Sequence, residues 1–206
     1  ALLSARAGYY GLINHVDDQI HRLLNSVTGV DRMTGNNTVV ILCSDHGEML
    51  GDHYCWAKSL PYEGAARIPL MIRAPERFGV RPGSVVERPV GLEDIMPTVL
   101  EIADVPVPNT VDGQSLLPLM RGEETDWRQW IRIECGTGFV CLTDGREKYV
   151  RFTEDGREQF FDLTEDRHEL HDLIDAPGRA ERVAWWRERL VEELKESGRG
   201  SPTGGV

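Results

Sequence analysis

The run Thr38-Val39-Val40-Ile41-Leu42-Cys43 passes without a break into Ser44-Asp45-His46-Gly47. An uninterrupted β-branched and apolar run predicts a strand buried on both faces, as in a covered α/β sheet. Sites in such sheets form just beyond the carboxyl ends of strands, where loops meet. Asp45 and His46 stand at that position. A carboxylate supplies charge and an imidazole supplies a neutral nitrogen lone pair. With Gly47 to let the backbone turn, the pair suits a divalent cation. Two ligands are too few for a site, so at least two more must come from elsewhere.

The chain on either side fits a layered architecture. Tyr9, Leu12, Ile13, Val16, Ile20, Leu23, Leu24 and Val27 recur at helical spacing and predict a helix from Leu2 to Val27. Gly29, Gly35, Asn36 and Asn37 make Thr28 to Asn37 a loop. Ile68-Pro69-Leu70-Met71-Ile72 is a second buried strand, and Glu93 to Ala103 a short helix with Pro97 in its first turn. Helices alternating with strands predict an α/β fold over residues 1–126, a mainly parallel sheet with flanking helices.

The texture then changes, with a boundary near Asp126. Ile131 to Cys135, Phe139 to Leu142 and Lys148 to Phe152 alternate, and Asp144-Gly145-Arg146-Glu147 recurs as Asp155-Gly156-Arg157-Glu158. Asp-Gly between alternating runs marks hairpins, because Gly accepts the positive φ of a tight turn. Residues 130–163 therefore read as an antiparallel meander. Arg179 to Lys195 is an amphipathic helix with Val183, Trp186, Leu190, Val191 and Leu194 on one face. Together they form a small C-terminal subdomain over 127–206. Gly198 to Val206 reads as a flexible tail.

Composition narrows the function classes. The formal net charge of −11 argues against nucleic acid as a partner, which needs clustered Lys and Arg. Arg67, Arg73, Arg77, Arg81 and Arg88 make one locally basic window, either a solvated face or a rim that attracts an anion. No apolar run approaches the roughly 20 residues of a membrane span. Cys43, Cys55, Cys135 and Cys141 match no zinc spacing. The turn at Gly136-Thr137-Gly138 would pair 135 with 139 and 133 with 141, which places a Cys135–Cys141 disulfide poorly. All four read as reduced, which leaves the compartment open. Ala1-Leu2-Leu3-Ser4-Ala5-Arg6 lacks the pattern of a signal peptide, and any export signal would lie upstream.

The motifs Ser44-Asp45-His46-Gly47, Gly51-Asp52-His53, Trp56-Ala57-Lys58, Tyr62-Glu63 and Arg67-Ile68-Pro69-Leu70 occur in this order. They are followed by Gly91-Leu92-Glu93-Asp94-Ile95-Met96-Pro97-Thr98-Val99-Leu100, Asp112-Gly113-Gln114-Ser115-Leu116, Phe160-Phe161-Asp162-Leu163 and His168-Glu169-Leu170. This succession resembles the sulfatase family of the alkaline phosphatase superfamily, over nearly the whole chain. The resemblance implies a sulfuric ester hydrolase, with Asp45 and His46 as two metal ligands. It implies that Lys58 contacts the sulfate group, as a substrate-binding and catalytic residue. The metal so implied is Ca2+, with Mn2+ or Mg2+ as alternatives. The substrate is a small-molecule or saccharide sulfate ester.

The family nucleophile, a formylglycine made in a Cys-x-Pro-Ser-Arg motif, has no counterpart at Cys43, Cys55, Cys135 or Cys141. An apolar strand ending in Asp-Asp is likewise not found. Asp17-Asp18 lies in the middle of the first helix. The expectation is that the chain carries half a site, is inactive alone, and joins an N-terminal half of the same protein. An oligomer is left open. Two rival readings stand beside this one: a phosphonate monoester or phosphodiester hydrolase on the same scaffold, and a non-catalytic piece with a binding or structural role. His53 reads as a supporting or packing residue. His15 and His21 read as surface residues, His168 and His171 lie near a turn after the meander with no carboxylate geometry to argue from, and Trp185 and Trp186 read as core and interface residues of the last helix.

Overall fold

The computed structural model describes residues 1–34, 36–136 and 138–196; the expected tail from Gly198 onward lies outside them. The chain divides into two compact units. The first comprises Ala1–Ala57, Ile68–Val86 and Leu92–Thr125; the second comprises Lys58–Arg67, Glu87–Gly91 and the residues from Asp126 onward.

In the first unit, helix α1 spans Leu2–Thr34 and overruns the loop expected from Thr28. The extra turns are tied down by Asp31, which is buried. Its carboxylate accepts from Thr38 Oγ1 at 2.6 Å and from the Arg73 guanidinium at 3.3 Å. That anchor outweighs the weak helix propensity of Gly29. Strand β1 covers Val40–Cys43 and β2 covers Leu70–Arg73. The α/β class stands, but the parallel pairing expected of these two strands does not. They pair antiparallel, with Val40 opposite Arg73 and Cys43 opposite Leu70. No long helix lies between them to make the crossover that parallel strands require. Burial on both faces also fails. The strand is half-buried and Cys43 is exposed, since β2 is its one partner among the described residues.

The short helices α2 and α4 cover Glu63–Ala66 and Leu117–Arg121, and helix α3, Ile95–Ile102, follows a 3₁₀ turn at Leu92–Asp94. Its buried polar groups are satisfied. Asp94 accepts the Gln114 amide at 2.9 Å. Thr98 Oγ1 donates to the Asp94 carbonyl at 2.6 Å and accepts the Leu116 amide at 2.8 Å. Gly113 is required here, because a Cβ would stand 2.0 Å from the Glu93 carbonyl oxygen. The Asp-Gly-Gln-Ser-Leu stretch is thus a close backbone crossing against the start of α3. Much of this unit's apolar surface faces outward: Leu3, Leu12, Val16, Leu23 and Met33 of α1 are exposed, as are Met71 and Met96. Among the described residues no helix is long and apolar enough to cross a membrane.

The second unit is the antiparallel meander: β3 Ile131–Cys135, β4 Phe139–Thr143, β5 Glu147–Phe152 and β6 Glu158–Asp162, in that order. Gly145 and Gly156 take positive φ in the two Asp-Gly turns. The register places Cys135 opposite Phe139 and Ile133 opposite Cys141, as the turn spacing predicts, and all four cysteines are free. Alternate residues feed two cores. Val140, Leu142, Tyr149 and Phe160 face Val183, Trp186, Leu190 and Leu194 of helix α5, Ala180–Glu196. Phe139, Cys141, Val150 and Phe161 form the other core, with Tyr62 packed against it. Both faces being covered explains why every residue of β4 is buried. Trp186 is fully buried and donates from Nε1 to Glu147 at 2.8 Å, and Trp185 packs edge-on against it, as expected of core residues.

Candidate active site

The Asp45–His46 pair is set by its own backbone. It follows β1 by two residues, in the bend that Ser44 stabilises by donating its hydroxyl to the His46 carbonyl at 2.6 Å. Asp45 Oδ1 accepts the His46 amide at 3.0 Å, which turns Oδ2 outward; the side chain is 83% exposed. His46 Nδ1 lies 2.7 Å from the Gly47 carbonyl oxygen. A carbonyl can only accept, so Nδ1 carries the proton and the lone pair belongs to Nε2. Nε2 stands 3.4 Å from Asp45 Oδ2. Two ligands bound to one cation at roughly 2.0–2.4 Å sit about 3 Å apart. The donor set and its spacing therefore fit a divalent ion. Among the described residues, no group of three or more His, Cys, Asp or Glu side chains is placed to hold a metal.

The loop that follows is held in a costly conformation. Leu50, His53, Tyr54 and Ala57 have φ of 50°, 51°, 59° and 64°, and Gly51 has φ 89°. Each non-glycine residue in that region costs about 1–2 kcal/mol, so the contacts around it must over-determine it. Glu48 supplies much of this, accepting the amides of Leu50 and Ala57 with one carboxylate oxygen. Met49 is buried, and its amide bonds the Ala57 carbonyl at 2.9 Å. From α1, Arg6 donates to the Leu50 carbonyl and to Asp52, both at 2.8 Å. Sequence reading passed over Glu48 and Arg6. A Glu two residues after an Asp-His pair carries no local signal of the loop it closes. His53 is half-buried within this loop.

Asp45 and His46 are thus brought together in the first unit. Lys58 opens the first segment of the second unit and is exposed. In the basic window, Arg73 pairs with Asp31 and Arg67 with Glu63. His171 sits by Asp166 at 3.2 Å, a local turn contact.

Solved structures share this arrangement of elements. The phosphonate monoester hydrolase of Agrobacterium radiobacter matches with a TM-score of 0.79 at 29% identity, covering 93% of this chain and 41% of that one. The phosphonate monoester hydrolase of Silicibacter pomeroyi matches at 0.73 and 31% identity, covering 84% and 38%. A structure described as a complex with its substrate D-glucosamine-2-N,6-O-disulfate matches at 0.75 and 24% identity, covering 92% and 40%; it shows the shared fold. The fold is that of the carboxyl-terminal region of alkaline-phosphatase-like hydrolases. Within that class the chain belongs to the sulfatase family: residues 51–196 match the family described as N-sulphoglucosamine sulphohydrolase, C-terminal. An arylsulfatase of Clostridium perfringens is 37% identical over 199 residues, 95% of this chain and 41% of the relative. A choline-sulfatase of Rhizobium meliloti is 32% identical over 152 residues, 71% of this chain and 28% of the relative. The chain thus spans less than half the length of these curated relatives. Membership of a sulfatase family implies a divalent metal cofactor in general.

Proposed function

We propose that this chain is the C-terminal part of a sulfuric ester hydrolase. The convergence of Asp45 Oδ2 and His46 Nε2 at the end of β1, in a chain that matches sulfatases, carries the reading. Asp45 and His46 supply two ligands to a divalent cation, Ca2+ first and Mn2+ or Mg2+ as alternatives. When bound, that ion draws charge from the sulfate oxygens and favours the ionised nucleophile. Lys58 donates hydrogen bonds to the sulfate and neutralises charge that grows on its oxygens as the ester bond breaks. A compact ammonium on a flexible stem can follow an anion that shifts along the reaction path. The Glu48 clamp keeps the loop between these groups in one conformation. The nucleophile, a formylglycine, and the remaining ligands come from the N-terminal half of the same protein. The substrate is a small-molecule or saccharide sulfate ester.

The likeness to two phosphonate monoester hydrolases supports a second reading, phosphonate or phosphodiester hydrolysis by the same groups. Comparing kcat/KM of the full-length protein on 4-nitrophenyl sulfate and on a phenylphosphonate ester separates the two. Preference for the sulfate is expected. Preference for the phosphonate overturns the first reading, and inactivity on both with metal supplied favours a non-catalytic role.

A further inference from the structure

Lys148 is the second residue of β5 and is fully buried. Its ammonium donates to the Pro61 carbonyl at 2.9 Å and to Glu169 Oε1 at 2.7 Å, and it stands 2.8 Å from Glu63 Oε1. An ammonium has three donors, and three acceptors take them. Glu169 is 3% exposed, and its other oxygen accepts the Glu63 amide at 2.6 Å. Two main-chain atoms and one side chain of Pro61–Glu63 are therefore gripped by this cluster. Tyr62, between them, packs edge-on against Phe161 and donates its hydroxyl to Gln159 at 3.0 Å. Pro61 is the third residue after Lys58.

Burying an ammonium with two carboxylates costs desolvation that pairing barely offsets, and an apolar side chain would fill the same place more cheaply. What the ions add is direction, since each bond is satisfied in a single placement of Pro61–Glu63. We propose that Lys148, with Glu63 and Glu169, is a positioning cluster. It locks Pro61–Glu63 onto the meander and so sets where the Lys58 ammonium stands during the reaction. The proposal rests on the role given to Lys58 above. With its donors committed, Lys148 acts through Lys58 and not on the substrate.

The test is a double-mutant cycle in the full-length protein, reading kcat and KM on 4-nitrophenyl sulfate. Lys148→Met should lower kcat about ten- to a hundredfold with Lys58 present, the scale of a small misplacement of a reacting group. In a Lys58→Ala background the same change should cost less than about twofold, because the group it positions is gone. Equal fractional losses in both backgrounds would reduce Lys148 to a structural residue and overturn the proposal, as would no loss beside an intact Lys58. If Lys148→Met does not fold, Glu169→Gln runs the same cycle. An amide offers one acceptor where the carboxylate uses two, so a smaller loss with the same dependence on Lys58 is expected. Near-normal turnover of Lys58→Ala by itself overturns the site reading, and the positioning proposal falls with it.

Discussion

His46 Nε2 stands 3.4 Å from Asp45 Oδ2, while Nδ1 of the same ring is committed to the Gly47 carbonyl at 2.7 Å. The main chain thus chooses the tautomer, and lone pair and carboxylate oxygen meet at one place. Asp45→Ala and His46→Ala should each lose bound metal together with sulfatase activity in the full-length protein. Elemental analysis of purified variants checks this; full metal content in either would remove that residue from the ligand set.

Lys58 should behave differently. Lys58→Ala should lower turnover by about two to three orders of magnitude, the usual cost of losing one charge-stabilising donor. Metal content should stay at the level of the parent protein. Activity and metal measured on the same preparation separate this outcome from a ligand defect.

Stability should depend on pH through Glu158. Hydrogen bonding to Arg187 holds its carboxyl at about 2, below the ordinary value of 4.5, with Tyr149 and Arg151 contributing. A depressed carboxyl stabilises the fold fully above its unfolded value, and that contribution is lost as pH falls towards 2. Urea midpoints of the parent protein should therefore drop between about pH 4.5 and pH 2. Glu158→Gln should be less stable at neutral pH and show a shallower decline; an unchanged slope would remove Glu158 from the acid response.

The 206-residue chain by itself should self-associate. Leu12, Val16, Leu23 and Met33 lie exposed on α1, with Met71 and Met96 elsewhere in the same unit. Apolar surface of that extent is normally covered by a partner. Sedimentation at increasing concentration should show a rising average mass. A well-behaved monomer that melts cooperatively would show that this surface tolerates water.

Much of the architecture was legible because it depends on near neighbours in sequence. Short turns fix their own hairpins, so the Asp-Gly pairs gave away the later hairpins of the meander, and the Gly136-Thr137-Gly138 spacing the offset of Cys135 from Cys141. The apolar stripe of α5 and the adjacency of Asp45 and His46 were readable for the same reason. The tertiary structure decided what depends on distant partners. Asp31 reaches Thr38 and Arg73 and so carries α1 past Thr28, and β1 takes β2 as an antiparallel neighbour. The single oxygen of Glu48 that closes the strained loop on Ala57 could not be foreseen from composition. Nor could the meeting of Lys148 with Glu63 and Glu169, which come from separate segments of the chain. Periodicity reports which face a residue takes, whereas the partner of a buried charge is chosen only when the chain closes around it.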